Sequence, residues 1–186
     1  MFKPFNKIFL TVLIFFTALG LLFGGYFFYK HFFVNQPLSL TLDNSALIAK
    51  YELVSEGKKP IIKLQLNKVD DLAYEFPKFL TTSGQILTEK DLELELASHP
   101  NAKLLKFYQE INPALYEALS LGNYTNLQNV IAEKNSQYGL TKVNLGVSEN
   151  YIYLQMEDNE DYLYYILNKN NDSFPKIINN IGSDVQ

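Results

Sequence analysis

Proton transfer and metal binding need converging His, Cys, Asp or Glu side chains, and this 186-residue chain offers two histidines, 20 acidic residues and no cysteine. Disulfides, thiolate chemistry and Cys-ligated metals are thereby excluded. His99 precedes Pro100 in a turn and His31 follows an apolar N-terminal stretch. Neither has a second histidine at metal-ligand spacing, so both read as surface or capping residues. The densest acidic cluster, Glu157-Asp158-Asn159-Glu160-Asp161, lacks the glycine and ligand spacing of a calcium loop and reads as a solvated hairpin turn. Glu93 and Glu95 alternate with Leu92, Leu94 and Leu96 as the wet face of a strand would. A G-x-S-x-G nucleophile motif and a glycine-rich phosphate loop are both missing. No catalytic residue, metal or cofactor is expected, and a binding role is favoured over an enzyme.

The elements that would carry such a role start with residues 8–29, an uncharged stretch of apolar and aromatic residues. At 1.5 Å per residue it is long enough to cross a bilayer core, which takes about 20 residues. A cleaved signal peptide would have an apolar region of about 7–15 residues ending in a small-x-small site. Here the run continues through Gly24-Gly25 into Tyr26-Phe27-Phe28-Tyr29, an aromatic interface belt, so a membrane anchor is expected. Lys3, Lys7 and the amino terminus precede it, which places residues 1–7 in the cytoplasm and everything beyond the span outside it. All 20 acidic residues follow the span, and all 16 basic residues are lysine. A net-acidic domain without arginine is poorly suited to nucleic acid and has no bidentate clamp for phosphate or carboxylate ligands.

Beyond a linker at residues 30–37, residues 38–42 alternate like a strand, and residues 47–54 are ambiguous between strand and helix. Ile62, Leu64 and Leu66 against Lys63, Gln65 and Asn67 mark a half-buried strand. Pro77 and Ser83-Gly84 argue against a long helix, so Phe79-Leu80-Thr81 and Gln85-Ile86-Leu87 read as a hairpin. Residues 101–121 have helical apolar spacing interrupted at Asn112-Pro113, which predicts two helices. A third helix runs from the capping box Thr125-x-x-Gln128 to a stop at Gly139. Residues 140–147, 151–156 and 162–167 read as a three-stranded antiparallel meander, and residues 174–181 as a short amphipathic helix.

The last strand of that meander, Tyr162, Leu163, Tyr164, Tyr165, Ile166 and Leu167, is apolar on both faces and carries no charge to protect an edge. Either the following helix covers it, or it accepts a strand from a partner. It is the candidate partner-binding site.

Two passages carry a family likeness: Ile61-Ile62-Lys63-Leu64-Gln65-Leu66-Asn67-Lys68-Val69, then Leu72-Ala73-Tyr74, then Phe79 through Leu87 around Thr82-Ser83-Gly84; and Tyr138-Gly139-Leu140 through Ile152-Tyr153-Leu154-Gln155-Met156. In these the chain resembles the FtsQ/DivIB family of bacterial cell-division proteins. It departs from the family pattern where Asn67 to Asp71 replaces Glu-Arg-x-Pro and where Glu157 to Asp161 lacks the hairpin Asp-Gly. The resemblance implies an α+β fold: a cytoplasmic tail (1–7), one transmembrane helix (8–29), a linker (30–37), a shortened, degenerate POTRA-like region (38–69), an FtsQ-like β domain with antiparallel sheet and packed helices (70–182), and a tail (183–186). It also implies a non-enzymatic, single-pass cell-membrane scaffold that recruits FtsB/DivIC-like and FtsL-like single-span partners through strand addition at Tyr162 to Leu167. The alternative is an extracytoplasmic domain binding an envelope polymer or lipid in a concave pocket of rings such as Tyr151 and Tyr153.

Overall fold

The structure, a computed structural model, describes residues 4–29, 36–54, 61–84, 92–170 and 175–182. It divides into two compact units, residues 1–44 and 45–186. His31, Gln85-Ile86-Leu87, Asp172-Ser173 and the tail at 183–186 lie outside the described residues.

The first unit holds two helices, α1 (Pro4–Tyr29) and α2 (Gln36–Asp43). With 26 residues, α1 is about 39 Å long. Its window Phe9–Tyr26 is apolar enough to cross a membrane, with Phe9, Leu21, Leu22 and Phe23 all exposed. Residues 38–42 are helical where alternation predicted a strand. Pro37 falls in the first turn, where its missing N–H has no helical acceptor to lose, and Asn44 closes the helix by donating from both its backbone and its side chain to the Leu40 carbonyl.

The second unit is mixed α and β. Its strands are β1 (Ile48–Val54), β2 (Ile61–Leu66), β3 (Glu93–Ser98), β4 (Lys142–Val147), β5 (Tyr151–Asp158), β6 (Asp161–Asn168) and β7 (Lys176–Ile181). Its helices are α3 (Leu72–Thr82), α4 (Ala102–Leu121) and α5 (Tyr124–Tyr138). One sheet has the order β1-β2-β3-β7, and the other is the expected meander β4-β5-β6. The first sheet is mixed rather than antiparallel, because β2, β3 and β7 run parallel. Since β2 shares that sheet with β3 and β7, a boundary at residues 69/70 does not separate two bodies.

Three elements differ from the sequence expectations, each for a local reason. Leu72, Phe76 and Phe79 recur at helical spacing and are buried, and Asp71 caps the first turn by accepting from the Ala73 N–H at 2.9 Å. That burial offsets the one internal bond lost at Pro77, so α3 forms where a hairpin was expected. In α4 the buried stripe Leu104, Phe107, Ile111, Leu115, Ala118 runs unbroken past Pro113, so one helix replaces the predicted two. In β7, Ile177 is buried while Lys176 and Ile178 are exposed, a period of two that β-branched isoleucines favour over the predicted helix.

The meander is the middle layer. On one face Ile152, Leu154, Met156 and Leu163 pack with the α4 stripe and with Leu127 and Ile131 of α5. On the other, Tyr151 and Tyr153 meet Phe76 of α3 edge-on, with centroids 6.4 and 6.3 Å apart. The outer face of the β1-β2-β3-β7 sheet is wet, carrying the pairs Lys63–Glu52 and Lys176–Glu93.

Candidate functional site

A strand offers a partner only the backbone groups that its own sheet leaves unused. In β6 the register with β5 and the two-residue turn at Asn159-Glu160 make Asp158/Asp161 and Met156/Leu163 the mutually bonded pairs. Tyr162, Tyr164 and Ile166 therefore point their N–H and C=O groups away from β5. Those groups are taken. The Tyr162 N–H donates to the His99 carbonyl at 3.1 Å. The Tyr164 N–H donates to the Ser98 hydroxyl at 3.1 Å, and that hydroxyl lies 3.2 Å from the Tyr164 carbonyl as donor in turn. The Asn179 side chain does both jobs for Ile166, accepting from its N–H at 2.9 Å and donating to its carbonyl at 2.8 Å. The His99 backbone and the Ser98 and Asn179 side chains thus seal the edge that the sequence left open.

The side chains of the predicted site are likewise engaged. Tyr162, Leu163, Tyr164 and Ile166 are buried. The Tyr162 hydroxyl donates to the Leu66 carbonyl at 2.7 Å. That of Tyr164 accepts from the Val69 N–H at 3.1 Å and donates to Glu157 at 3.0 Å. Burial pushes the Tyr164 phenol pKa up, and the Glu157 carboxylate adds to the shift. Tyr165 lies on the opposite face, 4.8 Å from the Tyr108 ring, its pKa pushed up to about 12 chiefly by burial and then by its hydrogen bond with Tyr108. Leu167 packs against the helical core.

The free edge is at the other side of the meander. The Ser148 N–H donates to the Tyr151 carbonyl at 2.9 Å, so with the β4–β5 register Lys142, Asn144 and Gly146 bond inward and Val143, Leu145 and Val147 point outward. Among the described residues, nothing accepts from or donates to those outward backbone groups. The edge lies in a groove of about 740 Å³ lined by Asp71 and Ala73 of α3, Ile131 and Asn135 of α5, and Tyr153 and Gln155 of β5.

Both walls are fixed at their ends. Gly139, at φ 61°, ends α5 in the left-handed region as the sequence predicts, but the N-cap is Asn123, accepting from the Asn126 N–H, two residues before the expected Thr125. Asp71 caps α3, and the buried Gln155 ties that helix to the meander, accepting from the Leu72 N–H at 3.0 Å and donating to the Val69 carbonyl at 2.6 Å. Gly146 lets α3 approach: a Cβ there would stand 2.2 Å from that of Ala73. An isolated glycine inside the run Val143-Asn144-Leu145-Gly146-Val147 is the sequence signal that marks this close approach.

Other groups with chemical potential are spent on structure. Asp158 accepts from Lys103 at 2.9 Å and from Asn101 at 3.0 Å, and these bonds, Lys103 first, hold its carboxyl below the usual range. Asp161 also accepts from Asn101, and Glu157 accepts from Gln155 at 2.6 Å. Glu95 accepts from Asn180 on the wet sheet face. Asp71 is the single carboxyl lining the groove, and among the described residues no group of three His, Cys, Asp or Glu side chains could hold a metal. Tyr151 is a core residue, donating from its hydroxyl to the Pro175 carbonyl at 2.9 Å, and Tyr153, 2% exposed, is among the described residues the one aromatic ring in the groove's lining.

Fold and groove together define a three-layer α+β domain with a helix-flanked strand edge, in a chain that also carries one helix apolar enough to span a membrane. No protein-family model, curated protein or solved structure matches this chain.

Proposed function

We propose that this chain is a non-enzymatic scaffold, anchored in the cell membrane by α1 with its N-terminus in the cytoplasm, whose extracytoplasmic domain holds a partner by strand addition. The single observation that carries this is the β4 edge, whose outward residues Val143, Leu145 and Val147 have unused backbone groups, the first two of them in a ready-made groove. Main-chain hydrogen bonds would supply the affinity and the groove walls the specificity. The resemblance to the FtsQ/DivIB family adds the setting: assembly of the division machinery, with FtsB/DivIC-like and FtsL-like single-span proteins as partners. Strand addition on β6 is not favoured, because a partner there would have to displace Ser98 and Asn179 from bonds already made.

The test is the whole chain fused to a fluorescent protein in its native cell, combined with purification from the native membrane. The scaffold reading expects enrichment at the division site and recovery of small single-span coiled-coil proteins. An even distribution around the envelope with no such proteins recovered contradicts it.

A further inference from the structure

We infer that the β4 groove receives one extended peptide segment in which apolar residues alternate with small and basic ones, contributed by a different chain rather than by a second copy of this one. This rests on the scaffold reading of the groove and specifies what the scaffold holds.

The backbone sets the shape of the occupant. Val143, Leu145 and Val147 present outward N–H and C=O groups every second residue, about 7 Å apart, and an extended strand repeats its own groups at that interval. The walls set its side chains. Val143 and Leu145 share the meander face that packs on the helical core, so an added strand's residues on that face meet Ile131 and Ala132 of α5. Residues on the other face, where Asn144 and Gly146 lie, meet Asp71 and Ala73 of α3. The first wall is apolar at Ile131 and Ala132 and polar around them, at Gln128, Asn135 and Ser136. The second is crowded at Ala73, which asks for a small residue, and carries a carboxylate at Asp71, which favours a cation.

Charge points the same way. Of the 16 basic and 20 acidic residues in the chain, Lys3, Lys7, Lys30 and Asp43 fall outside the second unit, which leaves that unit at net −6. A second copy brings the same negative charge. It also brings its own α3 and α5 on either side of its β4, and these would collide with the walls already flanking this edge. A lone strand, about 4.8 Å from its neighbour, meets no such obstacle.

The test uses the whole chain in lipid nanodiscs with two end-blocked seven-residue peptides. In one, valine alternates with lysine and threonine, and in the other glutamate replaces lysine. Hydrogen exchange is followed over residues 142–147. The expected result is slowed exchange there, with the lysine peptide binding about fivefold tighter than the glutamate peptide, the scale of one exposed ion pair gained or reversed. Asp71→Asn keeps the helix cap and should erase that preference. Val147→Pro removes an outward donor that bonds nothing in the domain, and should weaken binding about tenfold, the worth of one main-chain hydrogen bond, while leaving the unfolding transition cooperative. Absence of protection by either peptide overturns the proposal. So does protection that grows with protein concentration in the absence of peptide, which would identify a second copy as the occupant, or a lysine preference that survives Asp71→Asn. None of these outcomes depends on where the protein resides in the cell, so they separate failure of this site from failure of the division-scaffold reading.

Discussion

Asn179 closes the β6 edge, and replacing it separates the two strand edges experimentally. Its carboxamide makes two hydrogen bonds to Ile166, at 2.9 and 2.8 Å, and Ile166 is fully buried. Asn179→Ala leaves a donor and an acceptor without partners, each costing about 1–3 kcal/mol when buried. Asn179 is itself half-buried, so water can reach part of the gap, and a total of about 2–4 kcal/mol is expected. For a unit of this size that corresponds to a fall in Tm of about 5–15 °C. Asn179→Asp keeps the shape but sets a carboxylate oxygen against the Ile166 carbonyl. It should therefore destabilise at least as much as alanine at pH 7 and recover part of the loss at pH 4, where protonation restores a donor. Urea and thermal unfolding of the whole chain in detergent, followed by far-UV circular dichroism, measures both. A loss below about 0.5 kcal/mol for Asn179→Ala, or no pH dependence for Asn179→Asp, would refute the assignment of the β6 edge to this side chain.

Ile166→Lys should abolish the cooperative unfolding transition, since the residue is 0% exposed and a lysine there has no partner for its charge; an intact transition would mean that β6 can turn outward. Gly146→Val should destabilise the domain by about 2 kcal/mol or more, because its side chain would enter the space of Ala73, and Gly146→Val combined with Ala73→Gly should regain part of the loss in the same unfolding assay. Asp158 has its carboxyl pKa depressed in the folded state, so its stabilising contribution is present above the usual value of 3.8 and is lost as pH falls through the folded value. The stability gap between wild type and Asp158→Asn should accordingly be open at pH 7 and narrow below pH 4.

Much of the framework was legible because the patterns were local. The alternation of Ile62, Leu64 and Leu66, the meander, and the α5 stop at Gly139 each carry their signal within about ten residues, and the structure has them in place. Prolines misled in two places for one reason. Pro77 and Pro113 read as breakers in isolation, but the apolar faces Leu72-Phe76-Phe79 and Ile111-Leu115-Ala118 continue past them, and burial of such a stripe outweighs one lost hydrogen bond. The β7 error is of another kind: Lys176–Ile181 fits either period, and only its pairing with β3, across nearly eighty residues of sequence, selects the strand.

The candidate site shows the same limit. The uncharged apolar run at residues 162–167 marks a strand at the end of a three-stranded sheet, yet whether its edge is open depends on groups such as Ser98 and Asn179, which approach from other strands. No local pattern announces that a serine and an asparagine will imitate an added strand. The β4 edge has no local signature, because Val143, Leu145 and Val147 look like ordinary core positions and only the register with β5 reveals which way their backbone groups point.

The central claim is that partners are held at the β4 edge and not at β6. Because the chain has no cysteine, single-cysteine variants can carry a photoreactive crosslinker at one chosen position. Val147, 42% exposed at the end of β4, and His99, exposed where it bridges Tyr162 at the far end of β6, are suited to the purpose. Crosslinking of the whole chain in native membranes should give an adduct with a small single-span protein from position 147 and none from position 99. An adduct from 99 alone, or none from either site, would contradict the account.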